Sequence, residues 1–131
     1  MSHSAQKNKQ VIPIFFTFDE NYVVPAIVTF FSLLHHAEKS YCYELYVLHP
    51  GISAKAQREL QRVVGKFPHA SLHFYDTSND AIAQECPSKS HFSKEIYFKL
   101  CAPELFPQHK RMLCSDVDVV FLGDVSKAFT A

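Results

Sequence analysis

Two kinds of hydrophobic pattern alternate along the chain. Uncharged runs of β-branched and aromatic residues predict strands, the first over Val11 to Phe18 and the second over Tyr43 to Leu48. Between them, apolar residues recur at helical spacing, which predicts a helix from about Pro25 to His36. The predicted inner face of this helix consists of Ile27, Phe30, Phe31 and Leu34. The element order therefore begins with a strand, a short acidic turn and a helix.

The same patterns continue through the rest of the sequence. Ser53 is a suitable N-cap for a helix that runs to about Lys66, with its charged residues on the outer face. The later predicted elements are a short strand over Ser71 to Tyr75, a polar loop over Asp76 to Ser90, a helix over Ser93 to Cys101, a strand over Arg111 to Ser115 and a helix that starts after Gly123-Asp124.

Strands that alternate with helices predict an α/β fold with a mainly parallel sheet and right-handed crossovers. Ligands of such sheets gather at the carboxyl ends of the strands, and Asp19 and Asp116 both fall at such ends. The sequence has no internal repeat and no second-domain boundary. We expect a polar tail over residues 1–10 and a single domain over residues 11–131.

Composition narrows the class of function. With 131 residues, of which 47% are hydrophobic, the chain is long enough to bury a core. Thirteen basic residues balance thirteen acidic ones, so no overall field attracts nucleic acid or an anionic membrane. The polar first ten residues lack a secretory signal, which favours a cytoplasmic location. The longest apolar segment, Tyr22 to Leu34, contains Pro25 and is too short to span a bilayer.

Candidate chemistry lies in Asp116 and Asp118, which interrupt a stretch otherwise suited to a core. We expect both carboxylates to be in apolar surroundings, where ionised groups need compensation. Their i, i+2 spacing in an extended chain directs both side chains to one face, where they can share a Mg²⁺ or Mn²⁺ ion. A cap of the next turn, or a pairing with a distant arginine, is the alternative interpretation of the same two residues.

Four motifs together resemble glycosyltransferase family 8, which includes lipopolysaccharide galactosyl- and glucosyltransferases and glycogenin. The resemblance extends over about Ile12 to Phe129. The motifs are Pro13 to Tyr22, the helix end Ser32-Leu33-Leu34, the segment Tyr97 to Leu100 with Pro103 to Phe106, and Ser115 to Asp124. Their shared order is far more specific than the Asp-x-Asp pattern alone.

The resemblance implies a nucleotide-sugar site in a GT-A type fold. Matching positions imply that Thr17, Asp19, Asn21 and Tyr22 bind the uridine of a UDP-sugar. Asp116 and Asp118 match the family's metal-binding Asp-x-Asp motif, with Asp116 also near the donor sugar and Val117 lending backbone contacts. Lys99 replaces the usual donor-binding arginine, which keeps the charge but loses the two-pronged hydrogen-bonding geometry.

The implied reaction is transfer of a hexose from a UDP-sugar to a saccharide or glycolipid acceptor, with retention of anomeric configuration and Mn²⁺ or Mg²⁺ as cofactor. The resemblance covers only the N-terminal half of the family's domain. The other half carries a histidine that completes the metal shell, a lysine near the phosphates and the acceptor platform, so we expect the chain to be part of a longer enzyme. Any peripheral membrane association is expected to come from that half as well.

Two alternatives follow from the same residues. A non-catalytic nucleotide-sugar-binding module would need only the donor site and no acceptor platform. A phosphotransferase of the haloacid-dehalogenase type also places Asp-x-Asp after an apolar strand. There, however, a small flexible pair normally follows, whereas this chain has Val119-Val120, and the motif stands near the end of the chain.

Overall fold

The computed structural model describes residues 9–78 and 106–131, and the elements below lie in those two segments. The strands are β1 (Gln10–Thr17), β2 (Tyr41–His49), β3 (Ala70–Asp76) and β4 (Leu113–Cys114). The helices are α1 (Val23–His35), α2 (Ala54–Val64) and α3 (Ser126–Thr130), and a single 3-10 turn (Glu20–Tyr22) precedes α1. The predicted helix over Ser93 to Cys101 and most of the predicted loop over Asp76 to Ser90 lie outside the described residues.

The strands form one four-stranded parallel sheet in the order β3-β2-β1-β4. This arrangement confirms the predicted α/β class, because strands alternate with helices and every pairing is parallel. The strand predicted over Arg111 to Ser115 is present but reduced to Leu113 and Cys114. Among the helices in the described residues, none is both long and apolar enough to cross a bilayer.

Strand β1 is buried on both faces, as its uncharged sequence predicts. Alternate residues Ile12, Ile14 and Phe16 join a core shared with α1 and α2. On the opposite face Phe15 packs in a second cluster that contains Tyr46 and Phe106. The first strand therefore lies at the centre of the domain, with packed side chains above and below it.

Pro13 lies within this central strand, where a missing backbone N–H usually breaks a hydrogen-bonded ladder. The Phe15 carbonyl accepts a hydrogen bond from the Ser115 N–H at 3.2 Å, so Phe15 directs its backbone polar groups towards β4. Pro13 has the same parity and faces the same side. Pairing with β4 starts only at Ile14, so no residue of β4 needs a hydrogen bond from the N–H that Pro13 lacks.

The buried face of α1 differs in part from the prediction. Phe30 and Leu34 are buried as expected, whereas Phe31 is 46% exposed and packs against His35 and Phe67 at the surface. The buried stripe instead includes two polar residues, Thr29 and Ser32. The prediction was wrong at Phe31 because it counted only apolar residues and passed over these hydroxyls.

Helix α2 begins and packs as predicted. The Ser53 hydroxyl accepts a hydrogen bond from the Ala56 N–H at 3.2 Å, which is the geometry of an N-cap. Ala56, Leu60 and Val64 form the buried face of the helix. The helix starts at Ala54, shortly after β2 ends at His49.

Candidate functional site

Two adjacent strands bring the candidate residues to one edge of the sheet. In β1 and β4, Ile14 pairs with Leu113 and Phe15 with Cys114, in parallel register. The hydrogen bond from Ser115 to Phe15 continues this pairing one residue further. Because parallel strands end at the same edge, the chain leaves β1 towards Asp19 beside the point where it leaves β4 towards Asp116.

The turn after β1 is shaped by its own aspartate. Asp19 is the N-cap of the 3-10 turn, and its carboxylate accepts a hydrogen bond from the Asn21 N–H at 2.9 Å. Asn21 is exposed, and Tyr22 exposes 43% of its surface at the start of α1. The amide and the aromatic ring are therefore accessible to a ligand at this edge.

Glu20, which the sequence did not single out, ties this turn to the next loop of the sheet. Its carboxylate accepts hydrogen bonds from the Ser53 hydroxyl at 2.7 Å and the Ser53 N–H at 3.1 Å. The side-chain hydrogen bond and then the backbone hydrogen bond from Ser53 lower the pKa of Glu20. The loops that follow β1 and β2 are thus joined through one carboxylate.

Thr17, the last residue of β1, has a buried hydroxyl oxygen with no hydrogen-bond partner in the described part of the chain. Buried hydroxyls are usually hydrogen-bonded, so a buried hydroxyl without a partner calls for an explanation such as a catalytic role or a bound water or ion. Thr17 lies at the carboxyl end of β1, the same edge as Asp19. The hydroxyl is suited to accept or donate one hydrogen bond there.

The structure corrects the expected surroundings of Asp116 and Asp118. Both are exposed, although the sequence analysis expected them in an apolar interior. Val117 between them is only 6% exposed and joins the main core. The expectation was wrong because the apolar residues beside the carboxylates in sequence do not enclose them: Val117 enters the core, whereas Val120 and Leu122 are exposed as the two aspartates are.

The alternation of exposure agrees with a shared face for the two carboxylates. One buried valine separates two exposed aspartates, as expected where neighbouring side chains point in opposite directions. Asp118 makes no hydrogen bond or ion pair within residues 9–78 and 106–131. Carboxylate oxygens are the ligands that Mg²⁺ and Mn²⁺ prefer, and Asp116 and Asp118 are both exposed, so the residues present fit a divalent cation.

The described residues supply only part of a complete metal shell. Within them, no group of three histidine, cysteine, aspartate or glutamate side chains is arranged to hold a metal ion. The nearby basic residue Arg111 lies 5.0 Å from the ring centre of Phe129, in a cation–π contact with α3. Lys99, the predicted donor-binding residue, lies outside the described residues.

The backbone that follows the two carboxylates is held by α1. The Thr29 hydroxyl lies 2.6 Å from the Val117 carbonyl oxygen, and the Ser32 hydroxyl accepts a hydrogen bond from the Phe121 N–H at 2.9 Å. Neither helix residue was predicted from the sequence as part of the site. The available signal was a pair of polar residues, three positions apart, within an otherwise apolar helix.

Asp124 fixes the next turn, where the sequence predicted only a helix start. Its carboxylate accepts hydrogen bonds from the Tyr43 hydroxyl at 2.6 Å and from the Ser126 hydroxyl. Burial by itself raises the pKa of Asp124, but the hydrogen bonds from Ser126 and Tyr43 outweigh that effect and lower it overall. Burial and the same hydrogen bond raise the pKa of Tyr43. The chain is therefore anchored again just beyond the site.

Comparisons with known proteins agree with this architecture. The model of the family described as Glycosyl transferase family 8 matches residues 13–130. No curated protein matches the sequence significantly. Among solved structures, the apo form of the bifunctional glycosyltransferase WbbM is 26% identical, with a TM-score of 0.81 over 93% of this chain.

Two further structures share the fold at lower identity. The galactosyltransferase LgtC, solved with donor and acceptor sugar analogues, is 19% identical with a TM-score of 0.69 over 92% of this chain. Mouse xyloside xylosyltransferase 1 in its apo form is 15% identical with a TM-score of 0.66 over 92%. The chain spans 21% of the WbbM chain, 42% of the LgtC chain and 47% of the xylosyltransferase chain. These matches agree with the parallel, helix-flanked sheet of a GT-A type fold.

Proposed function

The chain belongs to glycosyl transferase family 8, and we propose that it binds a UDP-sugar donor for the transfer of a hexose to a saccharide acceptor. The observation that carries the proposal is the parallel pairing of β1 with β4. It brings the turn that contains Asp19 and the segment that contains Asp116 to one sheet edge. That edge is where open α/β sheets bind nucleotides.

In this proposal the turn after β1 binds the uridine. The Asp19 carboxylate and the Asn21 amide offer an acceptor and a donor for the polar edge of a uracil. The exposed ring of Tyr22 offers a stacking surface for the base. The unsatisfied Thr17 hydroxyl supplies one further hydrogen bond at the end of the strand.

Asp116 and Asp118 are proposed to hold the cation that faces the diphosphate. Held by these two carboxylates, a Mn²⁺ or Mg²⁺ ion would supply Lewis-acid stabilisation of the UDP leaving group. The Val117 carbonyl is engaged by Thr29, so a backbone contact between Val117 and the donor would come from its N–H. Lys99 is proposed to add a positive charge near the donor.

The finer parts of the reaction rest on family resemblance. We propose that the bond between the sugar anomeric carbon and the diphosphate oxygen breaks with UDP as the leaving group. The acceptor hydroxyl loses its proton as its oxygen bonds to the anomeric carbon, and the configuration is retained. The proposed acceptor is a glycan such as a lipopolysaccharide core, and the proposed location is the cytoplasm. No catalytic nucleophile is assigned to a residue of this chain.

The binding step is tested by titration calorimetry of UDP into the 131-residue chain with Mn²⁺ and with a chelator. We expect measurable binding that is much tighter with Mn²⁺. Equal affinity under both conditions, or none under either, contradicts the proposed metal site.

The transfer step needs a separate measurement, since binding and catalysis are different claims. Release of UDP from a panel of UDP-sugars, with and without saccharide acceptors, reports turnover. Transfer to an acceptor supports the transferase assignment. Metal-dependent UDP binding without any transfer assigns this chain to the alternative class, a non-catalytic nucleotide-sugar-binding module.

A further inference from the structure

Two hydroxyls lie in the buried face of α1, where apolar side chains are expected. Thr29 is 0% exposed and Ser32 is 9% exposed, and their neighbours Ala26, Phe30 and Leu33 belong to the main core. A buried hydroxyl costs free energy unless it is hydrogen-bonded. The partners of these two hydroxyls therefore explain why they stand in the core.

Both hydroxyls reach the segment that contains Asp116 and Asp118. The Thr29 Oγ1 lies 2.6 Å from the Val117 carbonyl oxygen and 2.7 Å from the Val119 carbonyl oxygen. One hydroxyl carries a single proton, so Thr29 donates a hydrogen bond shared between the two carbonyls. Its oxygen lies between two backbone groups that are two residues apart.

The Ser32 hydroxyl acts both as a hydrogen-bond donor and as a hydrogen-bond acceptor. It donates a hydrogen bond to the Thr29 carbonyl at 2.9 Å within the helix. It accepts a hydrogen bond from the Phe121 N–H, also at 2.9 Å. Helix α1 therefore contacts the backbone of three alternate residues, at positions 117, 119 and 121.

These hydrogen bonds hold the segment where strand pairing stops. The pairing with β1 ends at Ser115, and the chain then bends at Val117 and Asp118. Thr29 and Ser32 bind the backbone from this bend to Phe121. With Val117 held against the core, its neighbours Asp116 and Asp118 are both exposed.

We propose that Thr29 and Ser32 are positioning residues that set the direction of the Asp116 and Asp118 carboxylates through the backbone between and after them. Neither hydroxyl touches the donor or the cation in this proposal. The inference rests on the proposed function, since it concerns the geometry of the proposed metal site. It adds a second set of residues, on a helix about ninety positions earlier in the chain, on which metal binding depends.

The test compares substitutions at Thr29. Thr29→Val keeps the side-chain shape and removes the hydroxyl, whereas Thr29→Ser keeps the hydroxyl. Thr130→Val is the matched control, because the Thr130 hydroxyl bonds only to the Ser126 carbonyl in its own helix. Titration calorimetry measures the affinity of each variant for UDP with Mn²⁺ and for uridine without metal, and thermal unfolding monitors the fold.

We expect Thr29→Val to weaken Mn²⁺-dependent UDP binding by about 10–100-fold, as is typical for residues that support metal ligands. Uridine binding without metal should stay within about twofold, because the turn that contains Asp19 has its own hydrogen bonds. Thr29→Ser should restore most of the metal-dependent affinity, and Thr130→Val should match the wild type.

The outcomes separate this inference from the proposed function. Unchanged metal-dependent binding in Thr29→Val, or an equal loss of metal-dependent UDP and metal-free uridine binding, overturns the positioning role. A wild-type chain that shows no metal-dependent UDP binding overturns the proposed function itself, and the inference with it. If Thr29→Val does not fold, Ser32→Ala decides the question, because it removes the partner of the Phe121 N–H and otherwise loses only a hydrogen bond to the Thr29 carbonyl within α1.

Ser32→Ala also allows a measurement that needs no metal. We expect the Phe121 amide hydrogen to exchange with solvent at least several-fold faster in this variant, together with weaker Mn²⁺-dependent UDP binding. Exchange at the wild-type rate means that Ser32 does not hold the segment, and this result contradicts the proposal.

Discussion

The two loops of the candidate site are fixed in different ways. The turn from Asp19 to Tyr22 is held by a hydrogen bond across two residues and by the link between Glu20 and Ser53 across 33 residues. The segment from Asp116 to Phe121 is held by Thr29 and Ser32, which are 88 to 90 residues away in sequence. The first loop is thus held by its own residues and by the loop after β2. The second loop is held by a helix more than eighty positions earlier in the chain.

This difference implies separate sensitivities. The turn after β1 carries its own capping interaction and keeps its shape as long as the ends of β1 and β2 are intact. The Asp-x-Asp segment depends on the packing of α1 against the sheet. Mutations that disturb α1 should therefore affect the proposed cation site before they affect the proposed base site.

The largest expected effect concerns the two carboxylates. Asp116→Asn or Asp118→Asn should reduce Mn²⁺-dependent UDP affinity by at least about 100-fold, since even residues that only support metal ligands are worth 10–100-fold. Uridine affinity without metal should not change. Titration calorimetry measures the UDP affinity of both variants with and without Mn²⁺. If either variant binds UDP with Mn²⁺ as tightly as the wild type does, the carboxylate that it lacks is not a metal ligand.

The same variants test the corrected surroundings of the carboxylates. Because Asp116 and Asp118 are exposed, replacement of either should change the free energy of unfolding by no more than about 0.5 kcal/mol. Urea denaturation without metal provides the value. A change of several kcal/mol would mean that the carboxylates are buried after all.

The next largest effect concerns the turn after β1. Asp19→Ala should weaken uridine binding by about 10–100-fold with or without metal, because it removes a charged hydrogen-bond acceptor from the base site. Asp118→Asn should behave in the opposite way: it should lose the metal-dependent affinity for UDP and keep the metal-free affinity for uridine. If Asp19→Ala binds uridine as the wild type does, the base site lies elsewhere.

A smaller effect is expected at Ser53, which caps α2 and binds Glu20. Ser53→Ala should lower the free energy of unfolding by about 1 kcal/mol, the usual cost of a lost N-cap. It should also loosen the turn that contains Asp19 and weaken uridine binding by a few-fold. Ser53→Thr keeps a hydroxyl and serves as the control, and equal stability of the alanine variant and the wild type argues against the cap.

The smallest effect is a pH dependence centred on His49, at the end of β2. Its Nδ1 accepts hydrogen bonds from the Gly51 and Ile52 N–H groups at 3.1 and 2.8 Å, in the loop that leads to Ser53. Burial lowers the pKa of His49 from its ordinary value of 6.5, and the nearby Asp76 opposes this only in part. The folded protein therefore favours the neutral ring.

The sign of the pH effect follows from that preference. The stabilisation is complete above about pH 6.5 and is lost as the pH falls through the lowered pKa of the folded state. His49→Asn keeps an acceptor for the two amides but does not titrate. Urea denaturation at several pH values should show a smaller loss of stability on acidification in the variant, and an identical pH profile would exclude His49 as a contributor.

Much of the fold could be predicted from the sequence because its signals are local. The period of apolar residues predicted the strands and helices of residues 9–78 and 106–131 within a few residues, and Ser53 and Asp19 stand where caps and turns need them. The parallel sheet followed from the alternation of elements. For the proposed site, the sequence motifs predicted which residues take part and the order in which they occur.

The remainder depended on contacts between distant residues. The apolar pattern predicted Phe31 on the inner face of its helix and Asp116 in apolar surroundings, and both residues are exposed. The contacts of Thr29 with the Val117 carbonyl and of Tyr43 with Asp124 could not be predicted, since no local pattern links residues more than eighty positions apart.

The sequence by itself determined which segments are strands and helices, that Ser53 caps the second helix, and which carboxylates are candidates for a cation, because those properties depend on side chains close together along the chain. The tertiary structure alone decided that Asp116 and Asp118 are exposed and that two hydroxyls of α1 hold the backbone between and after them. The physical reason is that burial and hydrogen bonding between distant segments depend on how the helix packs on the sheet, and that packing is a property of the whole domain.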